Sequence, residues 1–311
     1  MFHSATPVRI MFGKLVKPGS YIGRTYRIKA ELGTGGSGAV YMAWHTRLCK
    51  YVVIKIVKES SVKAIEVHRN EVEALKNIKN MHIPLVLDFI VENDHSFTVM
   101  EFIDGGSFDK LLDSKQQFTE KQVLKWYIQL ASALDVIHKN DVCHRDIKPS
   151  NILYTTKGDV CLIDFNSALV SWNNTGIVSR SMGYASPEQY EYFKMCRSTF
   201  NNSSEDFPDY IETELLISDC KTEPAFSCYQ LSVGAQSINW KLSDIYSLGA
   251  TMYHFMTKKR PPVKEDEIRK IPKINGHSKG LLKIIEKSMR KTPHHRFSSA
   301  EELLNTLQDL I

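Results

Sequence analysis

The pattern of apolar and polar residues changes character once along the chain, near residue 104. Between residues 24 and 60, "YRIKAELG" and "AVYMAWH" flank a cluster of glycines, and "YVVIKIV" follows. Such β-branched and aromatic runs with alternating polarity predict half-buried strands. Residues 61–79 place Ile65, Val72, Leu75 and Ile78 on one side of a predicted helix. Two more strand-like pieces, "LVLDFIVE" and "SFTVMEFI", meet at Asn93-Asp94, residue types that tolerate a tight turn. Together these predict a small β-rich region with one prominent helix.

Past Asp104-Gly105-Gly106 the spacing becomes helical. Thr119 and Gln122 form a capping-box pattern, which satisfies free N–H groups at a helix start. Val123, Tyr127, Leu130, Leu134 and Ile137 then recur as a buried stripe. Ser298 and Glu301 predict a second cap ahead of Leu303, Leu304, Leu307 and Leu310, and a further buried helix is expected to begin near Ser243. One stretch breaks the pattern. From Asn201 to Glu223 seven acidic residues face one lysine, and the composition reads as an inserted loop.

Composition narrows the classes. With 42% hydrophobic residues the chain can bury a large core. A net charge of +5 is mild and does not by itself argue for nucleic-acid binding, which would need a clustered basic face, so no nucleic-acid partner is expected. No apolar run approaches the ~20 residues that span a bilayer, so no integral membrane segment is expected. The six cysteines (Cys49, Cys143, Cys161, Cys196, Cys220 and Cys228) show no CxxC pair. They read as reduced thiols of a cytoplasmic protein.

Four elements carry candidate chemistry. The first is Gly33-Thr34-Gly35-Gly36-Ser37-Gly38-Ala39-Val40, with strand-like sequence on both sides. Backbone without Cβ can approach an anion closely, although a flexible turn would look the same. The second is Val53-Ile54-Lys55. A lysine in an apolar strand wants an anionic partner if it is buried. Glu71 and Glu73 on the following helix are candidates, while strand alternation alone leaves a surface lysine open. The third is Cys143-His144-Arg145-Asp146-Ile147-Lys148-Pro149-Ser150-Asn151. Its carboxylate can orient a hydroxyl and accept the proton, its lysine can offset phosphate charge, and its amide oxygen can bind a metal. The fourth is Asp164 in "VCLIDFNSA", a carboxylate at the end of an apolar strand, suited to Mg²⁺.

In this order and spacing the motifs resemble those of the eukaryotic-type serine/threonine protein kinases over residues 24–311. "YASPEQY", "DIYSLGATMYHFMT" and "TPHHRFSSAEELL" extend the resemblance, with the first two especially like bacterial kinases of the Firmicutes type. The family implies an α+β, bilobal fold with an N-lobe over 24–103 and a C-lobe over 104–311. Residues 1–23 read from their composition as a flexible leader, with contact to a membrane surface as the alternative, and an insertion is expected at about 195–240. It implies ATP and Mg²⁺ as cofactors and transfer of the γ-phosphate to Ser or Thr hydroxyls of protein substrates. Autophosphorylation is part of the expectation, with a dimer as one way to achieve it.

The resemblance also implies residue roles. Residues Gly33–Val40 and Val53 would enclose the nucleotide, and Lys55 would hold its α- and β-phosphates, oriented by Glu71. Met100 would be the gatekeeper, and Glu101, Phe102 and Ile103 the hinge. Asp146 would be the catalytic base, with Lys148 beside the γ-phosphate and Asn151 and Asp164 on Mg²⁺. Asp244 would brace the catalytic loop, and Glu188 and Arg296 would form a structural ion pair. Asn166 stands where the family has glycine, which implies altered loop mobility rather than lost catalysis. Ser181 replaces the usual threonine and keeps its hydroxyl. Arg145 could pair with a phosphate on Ser167, Ser171, Thr175 or Ser179. The acidic insertion reads either as a solvated loop or as a dock or flap. A pseudokinase, binding nucleotide without turnover, is the alternative, and it would be expected to lose Lys55, Asp146 or Asp164.

Overall fold

The computed structural model describes residues 16–34, 38–57, 62–114, 118–165, 169–170, 181–192, 238–261 and 278–311. Gly35, Gly36, Ser37, Asn166, Ser167, Ser171, Thr175, Ser179, residues 1–15 of the leader and the acidic stretch 201–223 lie outside the described residues. The chain divides into two compact units. One contains the N-terminal portion up to Val72 together with Val86–Phe102, and the other Glu73–Leu85 with the chain from Ile103 onward.

The first unit is an antiparallel sheet of six strands. They are β1 (Tyr21–Ile22), β2 (Tyr26–Thr34), β3 (Gly38–His45), β4 (Lys50–Val57), β5 (Val86–Glu92) and β6 (His95–Glu101), in the order β1-β2-β3-β4-β6-β5. Asn93 and Asp94 both take positive φ, 51° and 60°, the handedness a two-residue hairpin between twisted strands requires. Period-two alternation sorts the side chains. Ala39, Tyr41, Ala43, Val52, Ile54, Ile56, Phe97 and Val99 form one buried face with Ile22, Tyr26 and Ile28. The opposite face carries Val40, Val53, Lys55, Ser96, Thr98 and Met100. Helix α1 (Val62–Leu75) follows β4. It is shorter than the predicted 61–79. The Ile78 N–H closes a turn onto the Leu75 carbonyl, and Ile78 packs into the core of the second unit instead of extending the helix.

The second unit opens with β7 (Gly105–Ser107) and α2 (Phe108–Asp113), followed by α3 (Glu120–Lys139). The capping box forms at Thr119 and Gln122, and the whole α3 stripe from Val123 to Ile137 is buried. Strands β9 (Ile152–Thr155) and β10 (Val160–Leu162) make a hairpin with β7 on the outer side of β9. Helix α4 (Trp240–Thr257) starts three residues before the expected Ser243, because Asn239 caps it by accepting from Leu242 N–H. It is buried nearly all round. Helices α5 (Lys279–Ser288) and α6 (Ala300–Gln308) complete the unit, with α6 packed along α3. The α6 cap lies one residue later than predicted. Ser299 accepts from Glu302 N–H, and the Glu302 carboxylate accepts from Ser298, while Glu301 turns to Lys139. This phase buries Leu303 and Leu307 completely and leaves Leu310 partly exposed. No helix among the described residues is long and apolar enough to cross a membrane.

Candidate active site

The segment between β8 (Val142–Cys143) and the 3₁₀ turn Pro149–Asn151 is held from beneath by α4. Asp244 is completely buried, and a buried carboxylate must be paired. It accepts from His144 N–H at 2.8 Å, Arg145 N–H at 2.7 Å and His138 Nε2 at 3.0 Å. Arg145 takes φ 62°, a strained conformation for a non-glycine residue. Its carbonyl accepts from Gln189 Nε2 at 2.8 Å, and its guanidinium lies 5.2 Å over the Trp240 ring. His144 spans the next layer, donating from Nε2 to the Ile163 carbonyl and packing on Phe165.

These constraints aim four polar side chains at one point. Asp146 Oδ1 accepts from Ser181 Oγ at 2.6 Å, and Oδ2 lies 3.0 Å from Lys148 Nζ and accepts from Asn151 Nδ2 at 3.0 Å. Lys148 Nζ also donates to Ser181 Oγ at 3.0 Å. A carboxylate so flanked can receive a hydroxyl proton while the ammonium offsets negative charge nearby. Asn151 donates both to the Asp146 carbonyl and to its carboxylate. Its amide orientation is thereby fixed, and Oδ1, a hard oxygen donor of the kind Mg²⁺ prefers, is the atom that those bonds do not use. The Asn151 carbonyl accepts from Ile163 N–H at 2.9 Å, which ties this turn to the end of β10. Asp164 follows directly, at φ 65°. Beyond it, β11 (Leu169–Val170) pairs antiparallel with β8.

Ser181 is itself positioned. Tyr184 and Ala185 N–H groups donate to its carbonyl, and Tyr184 Oη hydrogen-bonds His254 Nδ1 at 2.6 Å. Burial, aided by Arg260 and Lys258, pushes His254 down to about 4, so the ring is neutral, with one nitrogen donating and the other accepting. Further along, Glu188 meets Arg296 in a two-pronged pair at 2.6 and 2.8 Å. The remaining Arg296 donors reach the carbonyls of Arg290, Leu242 and Lys291. All five guanidinium N–H groups are therefore used.

In the first unit, Gly33 and Gly38 differ. Among the described residues nothing lies within 4 Å of where a Cβ on Gly33 would stand, whereas a Cβ on Gly38 would run into the Ile56 carbonyl. Gly38 is thus demanded by strand packing. Lys55 is buried on β4, opposite Thr98 and next to Val40 across the sheet. Glu71 lies half-buried on α1. Met100 pairs with Val53 near the end of β6, and the chain passes from one unit to the other between Phe102 and Ile103.

Sequence reasoning missed His138, Gln189 and His68. Each is a lone polar residue whose role depends on a partner dozens of positions away, and nothing local marks it. His138, Cys143 and Asp244 also bring potential metal ligands within 4.8 Å. Both Asp244 oxygens already accept hydrogen bonds, and burial followed by the Asp244 charge pushes the Cys143 thiol up, away from the thiolate that a metal needs. The trio is a brace.

Comparison with known proteins agrees with this geometry. The family model "Protein kinase domain" matches residues 26–199. A probable serine/threonine-protein kinase of Clostridium acetobutylicum is 27% identical, over 94% of this chain and 41% of its own length. One from Clostridium perfringens is 26% identical over 94% and 39%, and the serine/threonine-protein kinase PknA of Corynebacterium glutamicum is 28% identical over 91% and 55%. The chain therefore spans about two fifths to just over half of these relatives. With the family model covering more than half of its residues, this chain belongs to the protein kinase domain family.

Proposed function

We propose that this chain is a serine/threonine protein kinase that transfers the γ-phosphate of ATP to Ser or Thr hydroxyls of proteins. The observation that carries the reading is the arrangement of Asp146, Lys148, Asn151 and Ser181 around a single carboxylate. Asp146 orients the acceptor hydroxyl and takes its proton, and Lys148 offsets charge developing on the transferred group. Asn151 Oδ1 and the Asp164 carboxylate are the hard oxygen donors for Mg²⁺. Bound Mg²⁺–ATP would supply the phosphoryl group and partial neutralisation of its charge.

In the same reading the β-rich unit is the N-lobe and the helical unit the C-lobe. Lys55, oriented by Glu71, holds the α- and β-phosphates. Residues Gly33–Val40, Val53 and Met100 enclose the nucleotide, while Glu101, Phe102 and Ile103 bind adenine through backbone groups. Arg145 would pair with a phosphate on the segment after Asp164. The protein works in the cytoplasm on protein substrates, and it phosphorylates itself, with a dimer as one route. The names of the bacterial relatives support the Ser/Thr assignment.

The test is incubation of the purified chain with Mg²⁺ and γ-labelled ATP, beside Asp146→Asn. Label on Ser or Thr that falls by at least about a hundredfold in the variant supports the proposal. Tight nucleotide binding with no label above the variant would overturn it in favour of a pseudokinase.

A further inference from the structure

The face of the first sheet that carries Lys55 also carries a buried polar group that none of the motifs requires. His68, on α1, bridges two strand hydroxyls. Its Nδ1 lies 2.7 Å from Ser96 Oγ and its Nε2 2.7 Å from Thr98 Oγ1. All three residues are buried. Thr98 is the cross-strand partner of Lys55, so this bridge sits directly beside the lysine. The third side is closed by Phe89 of β5, whose ring meets the imidazole edge-on at 5.3 Å and carries Arg69 over its own face. Glu71 follows His68 by three residues, one turn along the same side of the helix.

We propose that His68 is a positioning residue for the kinase reaction: by bridging Ser96 and Thr98 it fixes how α1 sits on the sheet, and so where Glu71 stands relative to Lys55. The proposal rests on the roles assigned above to Lys55 and Glu71. Apolar packing is non-directional and would let a helix rotate or slide on a sheet at little cost. Two short hydrogen bonds from one rigid ring to two hydroxyls on the same strand do not. Moving the helix would leave the imidazole and both hydroxyls unpaired in a dry place, which is expensive. Burial, with the nearby Lys55 ammonium adding to it, pushes His68 down to about 4. The ring is therefore neutral through the physiological range, with one nitrogen donating and the other accepting. Two hydroxyls, each able to do either, complete the set.

The full chain carries the test, as wild type, His68→Leu, His68→Gln, Ser96→Ala/Thr98→Val and Lys55→Met. The assay is steady-state phosphotransfer from Mg²⁺–ATP to dephosphorylated casein or to the chain itself, with circular dichroism melts as the folding control. His68→Leu is expected to lower kcat at least about tenfold while KM for ATP changes less than about threefold. His68→Gln, which keeps a donor and an acceptor, should restore most of that loss. Ser96→Ala/Thr98→Val should reproduce it, and adding His68→Leu to that pair should cost little more, since the three groups act as a unit. If His68→Leu does not fold, the Ser96/Thr98 variant decides the matter. Wild-type kcat in the folded His68 and Ser96/Thr98 variants, with Lys55→Met inactive, would overturn this proposal alone. An active Lys55→Met would overturn the Lys55 reading and this proposal with it.

Discussion

Replacing Asp244 with asparagine removes one acceptor from a position that serves three donors. In the native arrangement Oδ1 accepts from Arg145 N–H and Oδ2 from both His144 N–H and His138 Nε2. An asparagine oxygen can take only one of the two places. With the amide nitrogen at the Oδ2 position, His138 Nε2 could accept from it only by moving its proton to Nδ1, which has no partner among the described residues. The His144 N–H would then face another N–H. With the amide turned over, the Arg145 N–H meets the same fate. Either way one buried backbone donor goes unpaired, a cost of about 1–3 kcal/mol. The surviving bonds change from charge-assisted to neutral and lose roughly half their strength, about 1 kcal/mol more. The expected loss is about 2–4 kcal/mol, which a domain of ordinary stability survives. Urea unfolding, extrapolated linearly, measures it. Because those N–H groups hold Arg145 at φ 62°, releasing one also lets the Asp146 loop relax. Phosphotransfer kcat should therefore fall at least about tenfold in protein that is still folded. A stability loss below about 0.5 kcal/mol, with kcat within twofold of wild type, would refute the claim that Asp244 braces the loop.

Two other perturbations follow the same logic. Arg296→Lys keeps the charge but not the five-donor fork, leaving the Glu188 carboxylate and three carbonyls to share three donors. A loss of about 3 kcal/mol is expected by denaturant titration, and a loss under 1 would show that the fork geometry is unimportant. On acidification, His68 and His254 both bind protons more readily unfolded than folded, since each is depressed from 6.5 to about 4. Their contribution is complete above pH 6.5 and is lost as pH falls towards 4, with His68 accounting for about 3 kcal/mol. Unfolding curves from pH 7 to 4.5 should show a shallower decline in His68→Gln, and identical slopes would refute the assignment.

The sequence determined a good deal unaided. Alternation in β2–β4 and the α3 stripe are written in local periodicity, because one buried face imposes it. The Thr119/Gln122 box is likewise local, a bond between residues three apart. So is the clustering of Asp146, Lys148 and Asn151, which lie within one tight turn. Phase errors arose where tertiary packing chose between equivalent local options. Ser298 and Ser299 are both competent caps, and burial of Leu303 and Leu307 selected the second. Ile78 continues the helical spacing of α1, yet the core of the other unit took it.

What only the tertiary structure decided are the long-range polar pairings. Asp244 reaches a loop 99 positions away, Arg296 a carboxylate 108 positions away, and His68 two hydroxyls about 30 positions on. A buried polar group must find a partner, but its own residue type does not say which one. That choice is made by the apolar core, which brings distant segments together. It leaves each buried donor or acceptor with the few neighbours that can satisfy it.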